Sequence, residues 1–368
     1  MYIPYLPVIK TSRNQTPDDL NFTSGNDDFL SFESGRQGMR VGLDVFNFKR
    51  NEIVLMPASL CHAVIEPFSN IGMKIQLYSL NRNFQWNIDE IKESITSATV
   101  AIYVIHYFGI TENLIELKRL CNTLNIVLIE DCALCGFDSR SAAGKHGDLV
   151  IFSLWKFHPI GDGAILKINN KSFPRKLDFK SPHYIRSFIR RVKIGIKSFL
   201  ARGVMSINVF QKLKNGSIAV QNEEFDDNYG QTFSIYGMSK WAKKVFWDED
   251  LTFCASQRIS NFNALQEFCL QNGIVPLYQK ITDGSVPYCF PIIVDTAISL
   301  QKALRNDGIE TEISINKPLF GQSSIVSSGN SFKDIADLAD RVLSIPVHQN
   351  IGFIQIEYIK NSLLKNLF

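Results

Sequence analysis

Through the first half of the chain, short apolar runs alternate with amphipathic stretches. Glu52–Met56, Lys74–Tyr78, Val100–Ile105, Ile126–Ile129 and Leu149–Phe152 are mostly or wholly apolar. Runs of this length predict strands buried on both faces, as in a parallel sheet. Between them, Gly35–Phe48 places Met39, Leu43 and Phe46 at helical spacing. Ile88–Ile95 follows Asn87, a good N-cap, and Leu114–Leu124 carries Leu114, Ile115, Leu117 and Leu120. Strand and helix in repeated succession predict a doubly wound α/β domain.

The second half changes character. Met238–Cys269 predicts one long helix or a helix pair, and Pro287–Val294 predicts a strand. Ala297–Asp307 predicts a helix with Gly308 as its C-cap, and Ile335–Leu343 and Gln355–Leu364 predict two more. This is an α+β pattern. The polar stretch Gln221–Tyr236, with Glu223, Glu224, Asp226 and Asp227, separates the halves. The expected organisation is a large α/β domain over 1–230 and a smaller α+β domain over 231–368.

Composition narrows the class. A chain of 368 residues with 45% hydrophobic and 20% charged residues has ample material for a core, which excludes wholesale disorder. Lys and Arg total 39 against 36 for Asp and Glu, so no nucleic-acid partner is expected. No apolar run approaches the ~20 residues of a membrane span. Met1–Lys10 is too short and too marked by proline for a signal peptide. Seven cysteines do not suit a disulfide framework, so a cytoplasmic setting is expected.

The charge is unevenly spread. From Phe179 to Asn222 there is no acidic residue, while Arg186, Arg190, Arg191, Lys193, Lys197, Arg202, Lys212 and Lys214 all fall there. Ile185, Phe188, Ile189, Val192, Ile196, Phe199 and Leu200 keep helical spacing within it. Two readings of the basic 184–214 segment stay open. One is a helix packed on its own protein with a solvated basic face. The other is a membrane-surface contact, or a contact with another polyanion.

Four constellations can carry chemistry. Ser34-Gly-Arg-Gln-Gly38 opens a helix, where free backbone N–H groups attract an anion and Arg36 adds a guanidinium; a plain turn and cap is the simpler alternative. Ile129-Glu-Asp-Cys-Ala-Leu-Cys-Gly136 ends an apolar strand in Glu130 and Asp131, at the edge where α/β proteins bind ligands, unless the Asp only caps a helix. Its Cys132 and Cys135 have no second pair to complete a metal set, so they read as buried spectators and no metal is expected. In Phe152–Gly163 a strand runs into Lys156, flanked by Trp155 and Phe157. Aromatic walls desolvate an ammonium and favour the neutral amine that a Schiff-base lysine needs; a snorkelling surface lysine is the alternative. Ile105-His-Tyr-Phe-Gly109 places His106 just past a strand, as a ligand contact or a satisfied histidine.

In this order the segments resemble the DegT/StrS-like sugar aminotransferases, fold type I enzymes of pyridoxal 5'-phosphate (PLP). The resemblance runs from about Phe32 to the C-terminus, where Leu343-Ser-Ile-Pro-Val347 and a final helix look like the family's closing elements. Arg258 falls where the family's helix leads into the small domain. The resemblance implies that Lys156 forms the Schiff base with PLP, with Gly161-Asp-Gly-Ala164 at the distance of the family's G-E-G-G turn. It implies that Asp131 pairs with the pyridine nitrogen and keeps the ring an electron sink. Gly35, Arg36, Gln37 and Ser153 would surround the phosphate, and Cys61 or His62 would lie on the ring. Leu134 stands where the family usually has Gln or His near the ring hydroxyl. The S-G-T-x-A loop reads Ser34-Gly-Arg-Gln-Gly38, N-Y-R-M reads Ile235-Tyr-Gly-Met238, and the stretch before Lys156 is two residues short.

The expected function is therefore a PLP-dependent aminotransferase. It would move an amino group from an amino acid, glutamate being the expected donor, to a nucleotide-linked keto sugar in polysaccharide biosynthesis, as a homodimer. Another PLP reaction on an amino acid, or a non-catalytic PLP-binding or interaction protein, is the alternative.

Overall fold

The five apolar runs become neighbouring strands of one sheet. The computed structural model describes residues 1–8, 29–138, 140–169, 179–180, 184–201, 235–313, 315–317, 325–326 and 332–368. The strands are β1 (Phe29–Phe32), β2 (Ile53–Pro57), β3 (Lys74–Tyr78), β4 (Thr99–Ile105), β5 (Val127–Cys132), β6 (Leu149–Ser153) and β7 (Ala164–Ile168). The two-residue strands β8 (Phe179–Lys180) and β9 (Ile235–Tyr236) pair with each other. Later come β10 (Val275–Pro276), β11 (Cys289–Ile293), β12 (Glu312–Ile313), β13 (Ile325–Val326) and β14 (Val342–Pro346). An eight-stranded sheet runs β1-β7-β6-β5-β4-β2-β3-β13, and a four-stranded sheet runs β10-β11-β14-β12.

From β6 through β5, β4 and β2 to β3 and β13 the pairing is parallel, whereas β7 is antiparallel to both β6 and β1. The fold is thus α/β with a mostly parallel sheet, as the resemblance implies, and its antiparallel edge follows from the tight turn after β6. Helix α1 (Gly35–Phe46) lies close on this edge, since a Cβ on Gly42 would sit 2.3 Å from Leu149 Cδ1. Helices α2 (His62–Asn70), α3 (Ile88–Ser94) and α4 (Ile115–Leu124) fill the following crossovers. The apolar pattern does not foresee α2, because Pro67 interrupts it.

After the central segment comes α5 (Tyr184–Ala201), and then α6 (Lys240–Trp247) and α7 (Leu251–Gln271), so Met238–Cys269 is a helix pair. Then follow α8 (Ala297–Asn306), α9 (Lys333–Ala339) and α10 (Phe353–Leu367). Ile335–Leu343 is not one helix: it breaks between α9 and β14. Ile335, Leu338, Ala339 and Val342 keep helical spacing across the break, which hides it, but Val342–Pro346 is buried throughout and paired on both sides. The basic stretch 202–214 and the acidic stretch 221–234 lie outside the described residues.

The two sheets meet at the turn after β6. Arg258 of α7 is 1% exposed. Its guanidinium donates to the carbonyls of Phe157 (3.2 Å), Pro287 (3.2 Å) and Tyr288 (3.1 Å) and to Gln349 Oε1 (3.0 Å), and it lies 4.2 Å from the centre of the Phe157 ring. Gln349 also donates to the Phe157 carbonyl (2.9 Å) and to Glu249 Oε1 (3.0 Å), and Glu249 Oε2 bonds His158 Nδ1 at 2.5 Å. Gly109 marks a second close meeting. At φ +81° its Cβ position is 2.5 Å from the Val286 carbonyl oxygen and 2.6 Å from that of Leu134.

Behind β5, the loop before β6 folds round Glu130. This carboxylate accepts the amides of Gly144 (2.5 Å), His146 (3.1 Å) and Gly147 (2.7 Å), and it bonds His106 Nε2 at 3.0 Å. Burial alone would raise the carboxyl, but His106 and the Gly147 and Gly144 amides outweigh burial and hold it at about 2.

Gly109→Ala should cost about 2–4 kcal/mol, read by urea denaturation, because both the backbone conformation and fixed carbonyls oppose a methyl group. A variant as stable as wild type would contradict the close meeting. Glu130→Gln tests the loop. A carboxyl held below its ordinary value of 4.5 stabilises the fold above that pH, and the contribution is lost as pH falls through about 2. The stability gap between wild type and Glu130→Gln should therefore be constant at neutral pH and close between roughly pH 4.5 and 2.

Candidate active site

A cavity of about 550 Å³ opens beside the ends of β5 and β6. Adjacent residues of a strand face opposite sides, which separates Glu130 from Asp131. Glu130 turns into the loop just described. Asp131 lines the cavity, where its Oδ2 accepts the Tyr103 hydroxyl at 2.6 Å and its Oδ1 accepts the Ala133 amide at 2.8 Å. Burial, and then the Asp131 carboxylate, push the Tyr103 phenol well above its ordinary 10, so it remains a donor. The Asp131 carboxylate is thereby fixed in direction.

Strand β6 ends at Ser153 and continues as one tight turn, Leu154–Lys156. Lys156 is half-buried and lines the same cavity as Asp131. Of its two aromatic neighbours only Trp155 shares the cavity; Phe157 is buried under Arg258 and near Tyr288, with ring centres 5.8 Å apart. The aromatic wall expected from the sequence is therefore one-sided. His158, two residues on, also lines the cavity.

At the start of α1, Ser34 caps in an extended conformation without a side-chain hydrogen bond. Ser34, Gly35, Arg36 and Gln37 line the cavity. Two of these side chains are committed elsewhere: Arg36 Nη1 pairs with Glu66 Oε2 at 2.9 Å, and Gln37 Oε1 accepts the Tyr236 amide at 2.8 Å. What the turn offers an anion is its backbone amides and the positive end of α1 rather than a bare guanidinium.

Cys61, the N-cap of α2, lines the cavity and His62 does not, so of the two only the thiol borders it. Leu134 is likewise not among the lining residues; Ala133 is. His106 is 1% exposed, bonded to Glu130 and accepting the Glu112 amide at 3.2 Å, which makes it a satisfied histidine. Cys132 and Cys135 are buried free thiols. Lys156, Asp131, Gly35, Arg36, Gln37, Cys61 and Ser153 thus share one cavity, and His62 and Leu134 stay outside it.

Sequence reasoning missed several lining residues. Tyr103 follows from the strand register: Ile105 pairs with Asp131, and Tyr103 lies two residues back on the same face. Leu6, Pro7 and Val8 had no sequence signal, since they reach the cavity from the far end of the chain. They are held there by the Val8 amide on Asn350 Oδ1 (2.7 Å) and by a bridge between Ile3 and Ile309. Arg190, Lys193 and Ile194 of α5 complete the rim, with Arg190 donating to the Gly161 carbonyl at 3.1 Å.

The comparisons fit this geometry. GDP-perosamine synthase of Escherichia coli O157:H7 is 27% identical over 154 residues, which is 40% of this chain and 42% of that protein. The chain spans about two fifths of the length of the curated relatives it matches. A DegT DnrJ EryC1 StrS aminotransferase from Brucella abortus superposes with a TM-score of 0.64 at 16% identity, covering 92% of this chain and 85% of that one. E. coli GDP-4-keto-6-deoxy-D-mannose-3-dehydratase, solved with bound hydrated PLP, gives 0.64 at 17% identity, covering 91% and 87%. Residues 19–179 match the DegT/DnrJ/EryC1/StrS aminotransferase family, and that is the family this chain resembles in sequence and in fold.

Proposed function

We propose that the cavity holds pyridoxal 5'-phosphate and that the protein is an aminotransferase acting on a nucleotide-linked keto sugar. One observation carries this reading: a lysine amine and a carboxylate pinned by a tyrosine line a single cavity. The donor set fits the cofactor, with an amine for its aldehyde, a carboxylate for its ring nitrogen and helix-start amides for its phosphate. When bound, PLP supplies an electron sink through its protonated ring.

The chain's own groups do the rest. Lys156 Nζ would hold the cofactor covalently until an amino donor displaces it, and then carry a proton to and from the reacting carbons as base and acid. Asp131, directed by Tyr103 and the Ala133 amide, would keep the ring nitrogen protonated. The amides of Gly35, Arg36 and Gln37, together with Ser153, would take the phosphate. Cys61 would border the ring. Leu6–Val8 and Trp155 would border the bound cofactor or substrate. The glutamate donor and the homodimer belong to the same reading and are supported by the resemblance, and a cytoplasmic setting by the cysteine usage. Among the described residues no helix is long and apolar enough to cross a membrane.

Purified protein mixed with PLP should develop a visible absorbance band that bleaches on adding glutamate. Lys156→Ala should abolish the band. Asp131→Asn should keep it and slow the bleaching at least ~100-fold. A PLP protein that accepts no amino donor would keep its colour. No band in wild type would end the cofactor reading. A band indifferent to every amino donor would end the aminotransferase reading.

A further inference from the structure

The mouth of the cavity is marked by the wall residues that water reaches. Of the residues lining it, only Cys61, Trp155 and Lys193 are exposed, while Tyr103, Asp131 and Ser153 lie at the buried end. Cys61 belongs with the ring in the reading above. The other two are an indole and an ammonium, and neither is claimed by the chain. Trp155 is 39% exposed and, among the described residues, makes no ring contact. Phe157, on the other side of Lys156, is by contrast covered by Arg258.

Lys193 is brought to the mouth by helix α5, which sits on the turn after Lys156. Arg190 donates to the Gly161 carbonyl at 3.1 Å, and a Cβ on Gly161 would lie 3.2 Å from Arg190 Cβ. Lys193 follows Arg190 by three positions and so shares its side of the helix. Among the described residues it forms no ion pair and no hydrogen bond.

An idle aromatic plane and an idle cation at one opening select a ligand with a flat ring and an anionic linkage. An amino donor fits inside the cavity beside Lys156 and gives the indole no use. A free inorganic anion would use Lys193 alone. A cavity of about 550 Å³ takes the cofactor and one sugar ring, so a nucleotide joined to that ring leaves through the mouth. Its base can stack on an indole whatever its identity, because every base has a π-face. Its diphosphate can meet an ammonium, which binds phosphate as a point charge.

We propose that the cavity mouth is a nucleoside-diphosphate subsite in which Trp155 stacks the base and Lys193 meets the diphosphate. This rests on the nucleotide-linked substrate proposed above and adds where its nucleotide lies. The sugar end then faces inward, toward Lys156.

Calorimetric titration of the full chain, mixed with PLP, tests the subsite. The probes are uridine, guanosine and thymidine diphosphates and inorganic pyrophosphate. Wild type should bind at least one of the nucleoside diphosphates. Lys193→Ala should weaken that nucleotide and pyrophosphate about tenfold, and the difference should shrink as salt rises. Trp155→Ala should weaken the nucleotide about tenfold and leave pyrophosphate unchanged, and Trp155→Phe should restore most of the loss. Far-ultraviolet circular dichroism confirms that each variant is folded. No binding of any nucleoside diphosphate, or equal binding by wild type and both alanine variants, would overturn the proposal. So would a dimer, seen by light scattering, that either alanine substitution dissociates, since a second copy would then occupy the mouth. The visible band is read in the same samples. A band without nucleotide binding removes the subsite alone, and nucleotide binding without a band removes the cofactor reading and leaves the subsite standing.

Discussion

A guanidinium buried without a bonded carboxylate is the demanding interaction in this fold. Arg258 loses its hydration and, among the described residues, bonds three carbonyls and one amide side chain. Desolvation pulls it below its ordinary value, to about 10, so it stays charged at neutral pH. A carbonyl set is directional, and it forms only when the turn after β6, Pro287 and Tyr288 just before β11, and the Gln349 loop are all in place. The cation thus ties the two sheets through geometry more than through net attraction. The tie lands on Phe157 and His158, the two residues after Lys156. A lysine held by a strand on one side and by this knot on the other has little backbone freedom.

The two acidic residues at the end of β5 divide their labour by strand alternation. Glu130 spends itself on three amides and a histidine, and builds the loop that carries the chain from β5 to β6. Asp131 keeps a face to the cavity because only a tyrosine hydroxyl and one amide hold it. The same economy applies at α1, where Arg36 and Gln37 stabilise the helix start and leave the backbone to meet a ligand.

Much of the large sheet was legible because buried parallel strands have no alternation to obscure them. The Lys156 and Asp131 ends were legible for the same reason: each follows a dense apolar run. Other features had no such marker. Helix α2 carries Pro67 in its interior, and the break before β14 falls where helical spacing happens to continue. His62 and Leu134 are expected near the cofactor by resemblance alone, and it is their neighbours Cys61 and Ala133 that line the cavity. The one-sided aromatic wall has a cause seen only in three dimensions, since Phe157 is claimed by Arg258, 101 residues away in sequence. Tyr103 needed strand register, which single-sequence reading does not supply.

The first eight residues are fastened to segments more than 300 positions away. Ile3 is joined to Ile309, the Tyr2 hydroxyl donates to Glu310 at 2.7 Å, and Leu6, Pro7 and Val8 form part of the wall around Lys156. Anything that loosens the Asn350 or Ile309 attachments would therefore reshape the pocket wall from a distance, without touching Lys156 or Asp131.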